Sequence, residues 1–174
     1  MTHREREAQL KSKLDPHLSD LLTHVDILSF YHPRITPEQT ASRTLPQVQL
    51  VELVSAENFA EHYDALYESS FSIDAERESS NLIIERLKDE FAGRRSHLQP
   101  YRIVGLRDHD DEAIGAAQFS VLFLKNGQHA VPYLQYIYVD EKHRGQGHAD
   151  LLHALTLAVA QADAERRGEH ITVS

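Results

Sequence analysis

Arg144, Gly145, Gln146, Gly147, His148 and Ala149 stand between an apolar stretch, Tyr133 to Val139, and a segment in which Leu151, Leu152, Leu155, Val159 and Ala162 recur at helical spacing. That order is a strand, a short charged turn and a glycine-bearing helix entrance, and its chemistry is anion binding. Glycines place no side chain between the backbone and a ligand, and the first N–H groups of a helix, here from about Gln146 to Ala149, have no intrahelical acceptor. They can point at a phosphate, with the helix dipole and a charge-assisted hydrogen bond from Arg144 adding to the attraction. A diphosphate-bearing cofactor fits this chemistry. A plain strand-to-helix turn would use the same residues. A dinucleotide-binding turn fits less well, because Asp150 stands where a third glycine belongs, and no Gly-Lys-Ser/Thr marks a P-loop.

Other groups weigh less. The chain has 12 histidines, and the densest run is His143, His148 and His153. Steps of five residues spread these around a helix, so no metal site is expected. Asp74, Glu76 and Glu78 form an acidic turn that would attract an amine, or simply be solvated. Alternation puts Tyr136 and Tyr138 on one face of their strand, where packing against a helix is the expected role.

The run Arg144-Gly-Gln-Gly147-His-Ala149 after a strand resembles the Q/R-x-x-G-x-G/A signature of the GNAT superfamily of N-acetyltransferases. The diagnostic part is Tyr133 to Arg167, and the order of elements from Gln47 onward is compatible with it. The resemblance implies acetyl-coenzyme A as co-substrate. It assigns the diphosphate to the amides of Gly145, Gln146, Gly147, His148 and Ala149 with Arg144, and the pantetheine arm to the exposed backbone of Ile137 and Val139. The acceptor would be an amine on a small molecule or peptide. Tyr133 and Gln135 lie near where many relatives place a carboxylate, and neither is a base at neutral pH. His129 and Glu141 are the substitutes to consider, and no catalytic base is assigned. In the superfamily later segments complete the acceptor site, so the domain is expected to be cut off after the cofactor helix. A noncatalytic module that binds coenzyme A or another chain is the alternative reading.

The elements that must position these residues follow from patterning. Asp15-Pro16 reads as a helix start, with a helix over Pro16 to Ser29. Tyr31 to Pro46, with three prolines, reads as a linker, which divides the chain into an extension over 1–46 and an acyltransferase-like domain over 47–174. Strands are expected at Gln47 to Val54, Tyr101 to Arg107, Ala113 to Leu124, Tyr133 to Val139 and Ile171 to Val173, with a hairpin at Lys125 to Gln128. Two helices carry the stripes Phe59, Tyr63, Leu66, Tyr67 and Ile83, Leu87, Phe91, and Gly168 is placed to stop the last helix. The class is α/β of the α+β type: a mixed, mostly antiparallel sheet flanked by helices.

Composition narrows the rest. The absence of cysteine excludes thiolate nucleophiles, disulfides and cysteine-ligated zinc, and a net charge of −9 argues against nonspecific nucleic-acid binding. No apolar run approaches the roughly 20 residues of a membrane span, and a cytoplasmic location is expected. A sheet missing its last strands would leave apolar surface on the final helix uncovered, which makes a homo-oligomer possible.

Overall fold

The computed structural model describes residues 1–96, 98–124, 129–166 and 170–171. Its centre is one sheet in the order β1 (Leu50–Leu53), β2 (Tyr101–Arg107), β3 (Ala113–Phe123), β4 (His129–Val139) and β5 (His170–Ile171). The first four strands are antiparallel neighbours, and β5 runs parallel to β4. The expected mixed, mostly antiparallel sheet is therefore present. β1 is shorter than the expected 47–54, because Leu45–Gln47 forms a 3-10 turn ahead of it. The hairpin turn at Lys125 to Gln128, the stop at Gly168 and the strand end at Val173 lie outside the described residues.

Alternation along the strands divides the sheet into two packed faces. Tyr101, Ile103, Ala116 and Tyr138 point to one face, and Val104, Leu106, Ala117, Phe119 and Val121 to the other. The first face is covered by a helical stretch and a second helix. Ser55 caps the first stretch, which begins at Ala56–Asn58, by accepting from Asn58 N; it continues through a π turn, Phe59–Tyr63, into Asp64–Ser70. The second helix, Ser80–Phe91, is capped by Ser79. Its stripe is only partly a core stripe: Ile83 and Leu87 are buried, whereas Phe91 is 38% exposed and meets His17 edge-on.

The other face holds the long helix His148–Arg166 together with the N-terminal segment. In chain order the helices are now α1 (His3–Lys11), α2 (Pro16–Leu21), α3 (Pro37–Thr44), α4 (Ala56–Asn58), α5 (Asp64–Ser70), α6 (Ser80–Phe91) and α7 (His148–Arg166). α1 was not expected, although Thr2 and Glu5 make a full capping box at its start. The single helix expected over Pro16 to Ser29 is two pieces. α2 ends at Leu21, Thr23 Oγ1 donates to the carbonyls of Ser19 and Asp20, and a 3-10 turn follows at Ile27–Phe30. Glu7 of α1 fixes that turn by accepting from Ile27 N and Leu28 N, both at 2.9 Å.

The stretch read as a linker contains α3, with Pro37 in its first turn. Leu10, Leu18, Leu22, Ile27, Leu28 and Leu45 are all fully buried and share one core with α7 and the sheet, so no seam separates 1–46 from the rest. The segment also covers the outer edge of β1: Val51 N donates to Lys13 O and Asp15 N to Val51 O. Because the sheet and the N-terminal helices flank α7 together, almost every residue from Leu151 to Ala164 is buried. The apolar surface expected to be left bare on this helix is covered by the chain's own N-terminus.

Candidate functional site

β4 delivers the chain to the site through an open edge. Asp140 N donates to Ile114 O of β3 at 2.7 Å, so by strand alternation the main-chain groups of Val139 and Ile137 face away from β3. On that side β5 pairs only with His129 and Ala130 among the described residues. The main-chain edge at Ile137 and Val139 is thus unpaired by any described strand. An irregularity in the β3–β4 register between Gln118 and Phe119 leaves Gln135 without an opposite residue and bends β4 just before this edge.

Beyond β4 a 3-10 turn, Glu141–His143, leads into Arg144, whose Nε donates to Val139 O at 3.2 Å. Gly145 and Gly147 follow with φ of 76° and 86°, a region that side chains rarely adopt. The two glycines answer to different neighbours. A Cβ on Gly145 would meet nothing within 4 Å, so its face is open to a ligand. A Cβ on Gly147 would stand 2.5 Å from Thr44 Oγ1 and 2.9 Å from Thr40 Cγ2, so this glycine is demanded by close packing of α3 and not by ligand approach alone.

The first bond of α7 runs from Leu151 N to Gly147 O at 3.1 Å. The amides of His148, Ala149 and Asp150 therefore precede the helical ladder, at the positive end of a 19-residue helix. They open on a cleft of about 500 Å³ lined by Val139, Arg144, Gly145, Gly147, His148 and Ala149 together with His143, Asp150 and, from α3, Thr40 and Arg43. Of the residues expected to bind cofactor, two are not on its wall. Gln146 turns its carbonyl to Thr44 Oγ1, at 2.8 Å, and Ile137 lies further down the β4 edge with its side chain against the core.

His148 enters by its backbone and not by a free imidazole. Gln47 Nε2 donates to Arg43 O, so Gln47 Oε1 accepts from His148 Nε2–H at 3.1 Å and fixes the tautomer. Burial, and next the nearby His143, push this imidazole down to about 4. Its Nδ1 is then a buried acceptor without a protein partner, in a residue that is 1% exposed and lines the cleft. His143 meets His148 edge-on at 5.8 Å, and His153 is exposed on α7, so the three histidines do not converge.

The groups weighed as bases are not brought to one point. Glu141 is exposed in its turn, Tyr133 is 56% exposed, and the side chain of His129 lies outside the described residues. Tyr136 and Tyr138 pack with Tyr67 and Phe71 of the α5 region, as their shared face implied. Burial raises the Tyr138 hydroxyl well above its usual range, so it stays neutral. The acidic turn forms a second cleft of about 520 Å³, where Asp74 and Glu78 are joined by Asp64 and Glu68, while Glu76 is not on its wall. Sequence reasoning missed Thr40, Arg43 and Thr44. It also missed a cluster of His3, Glu7 and Asp26, whose ligand-type atoms lie within 4.8 Å of one another. The cluster is a structural clamp: His3 bridges Asp26 and Glu38, and Glu7 caps the turn beside it.

Residues 54–172 match the model of the Acetyltransferase (GNAT) family. The chain belongs to this family. Membership implies acyl-coenzyme A-dependent acetyltransferase activity, and the matched segment carries β4, the glycine turn and α7 in the order found here. Because the GNAT match runs to residue 172, it gives no support to a domain cut off after the cofactor helix. That expectation came from the later segments that complete the acceptor site in the superfamily; the cover that α7 was expected to lack as a result comes here from before β1. α1, α2 and α3 lie outside the GNAT match, yet α3 forms one wall of the cleft. Neither a curated protein nor a solved structure matches the chain. No helix among the described residues is long and apolar enough to cross a membrane.

Proposed function

We propose that the chain is an N-acetyltransferase that binds acetyl-coenzyme A between the β4 edge and the start of α7 and transfers the acetyl group to an amine. The observation that carries this reading is continuity. One main-chain edge that no described strand pairs, at Ile137 and Val139, runs into an open glycine at Gly145, an arginine without a described carboxylate partner at Arg144, whose Nε rests on Val139 O, and the amides of His148 and Ala149 ahead of the first helical bond. An extended amide-containing arm can add to the edge as a strand would, while a diphosphate takes the helix start.

When bound, acetyl-coenzyme A supplies the acetyl group as a thioester, from which a neutral amine displaces the thiolate. The chain's own contribution is to orient and to attract. Arg144 and the α7 amides hold the anionic end, and the β4 edge sets the direction of the arm. Asp74 and Glu78 are paired with Arg77 and Arg86, so the net negative charge of the second cleft comes from Asp64 and Glu68, near Tyr136, whose hydroxyl accepts from Glu78 N at 3.0 Å. That charge favours a cationic amine as the arriving acceptor. A second reading, a coenzyme A-binding module without catalysis, is favoured by Tyr133 and Gln135, neither of which can take a proton from an ammonium group at neutral pH.

Incubation with acetyl-coenzyme A and a panel of small amines and amino-terminal peptides separates the two. The chain contains no cysteine, so every thiol that appears comes from the cofactor. Amine-dependent thiol release, with the acetylated amine found by mass, supports the transferase. Cofactor binding without amine-dependent release selects the module.

A further inference from the structure

Resting on the acetyl-coenzyme A reading, we infer that Arg43, in the N-terminal segment outside the family match, is a second phosphate-binding cation of the cofactor site. Arg43 lies in the last turn of α3 and lines the same cleft as Arg144 and the α7 amides. Among the described residues neither Arg43 nor Arg144 has a carboxylate partner, whereas Arg77, Arg86, Arg102 and Arg107 all do. In a chain with 27 acidic and 18 basic side chains, two guanidinium groups without a carboxylate partner line one cleft, where both can reach the same anion. Asp150 is the one carboxylate on the wall, so the lining stays cationic before the helix dipole is added.

The end of α3 is held against the glycine turn, which fixes where Arg43 begins. Thr44 Oγ1 donates to Gln146 O at 2.8 Å, Thr40 and Thr44 fill the space that a side chain at Gly147 would need, and Gln47 bridges Arg43 O to His148. These contacts span about 100 residues of sequence and join a segment outside the family match to the family's signature turn. The cofactor site is thus built by two parts of the chain, with one arginine from each. Coenzyme A offers a diphosphate and a 3′-phosphate, and a planar guanidinium suits either.

Calorimetric titration of coenzyme A into the wild type, Arg43→Ala and Arg43→Lys tests the inference, with dephospho-coenzyme A and pantetheine as companion ligands. The expected result is a loss of about tenfold in affinity for Arg43→Ala, the scale of one charge-assisted hydrogen bond. Arg43→Lys should recover part of it, pantetheine binding should be unaffected, and the unfolding midpoint should not move. If dephospho-coenzyme A is bound equally by wild type and Arg43→Ala, the 3′-phosphate is the partner; a tenfold difference on that ligand assigns the diphosphate. Unchanged coenzyme A affinity in Arg43→Ala, with the wild type binding normally, overturns the inference and leaves the transferase reading standing. An equal loss on pantetheine also overturns it, because the effect would then not come from phosphate. Failure of the wild type to bind coenzyme A removes both.

Discussion

At the scale of single residues, Gly145 and Gly147 both adopt the positive φ that glycine favours, immediately before α7 begins. What the sequence could not show is why each glycine is there. Gly145 is open and Gly147 is packed, and a substitution should tell them apart. Gly147→Ala carries both backbone strain and a clash with Thr44, and should lower stability by about 2–4 kcal/mol in urea denaturation. Gly145→Ala carries strain alone and should cost about 1–2 kcal/mol, while narrowing the approach to the cleft. His148 was expected among the cofactor residues, and its imidazole proves to be committed to Gln47. Its folded value near 4 lies below the ordinary imidazole value of about 6.5. Between these two values the unfolded chain binds more protons, so this histidine makes stability fall as pH drops from about 6.5 towards 4. His3 has the opposite sign. Its bond to Asp26, and next that to Glu38, raise its imidazole, so its contribution is complete below the ordinary value and is lost as pH rises through the raised one. Denaturation at pH 5 and pH 8 should show His148→Gln reducing the acid-side loss, and His3→Gln costing more at pH 5 than at pH 8.

Among the elements, the strands and the helices α5, α6 and α7 were readable from periodicity, since each has apolar residues at its own repeat. The N-terminal elements were not, for particular reasons. α1 buries only Leu10, so it shows no stripe, and its signal was the capping box of Thr2 and Glu5. α3 buries only Ala41 and Thr44, and three prolines nearby read as a linker. The helix expected to run through Ser29 stops early because its continuation is held by a carboxylate from another element, Glu7, which no local pattern encodes. Glu7→Ala should leave the N–H groups of Ile27 and Leu28 without their acceptor and cost about 1–3 kcal/mol, read by denaturant unfolding. On the sheet's other face, Glu52 is 1% exposed and holds Arg107 Nε, Tyr63 hydroxyl and Asn58 Nδ2. Arg107→Met would strand that carboxylate, and a loss of about 3–5 kcal/mol is expected from the same measurement.

Over the whole molecule, the N-terminal segment supplies the cover of α7 that was expected to be missing with the last strands. It covers α7, closes the β1 edge and walls the cleft, so the apolar surface that suggested association is already buried. Periodicity describes one element at a time and is silent on which elements share a core, which is why the all-round burial of α7 was read as a single apolar face. Deleting residues 1–46 should therefore abolish cooperative unfolding and produce aggregation, seen by size-exclusion chromatography and by loss of the near-ultraviolet tyrosine signal. The transferase reading joins both halves of the molecule to one ligand, and direct titration of that ligand reaches it before any acceptor is known. Titrating acetyl-coenzyme A into the full chain and into Arg144→Ala should give saturable binding that weakens by about 1–3 kcal/mol in the variant. No binding to a folded wild-type sample, or equal binding by the two, would contradict the site proposed at the start of α7.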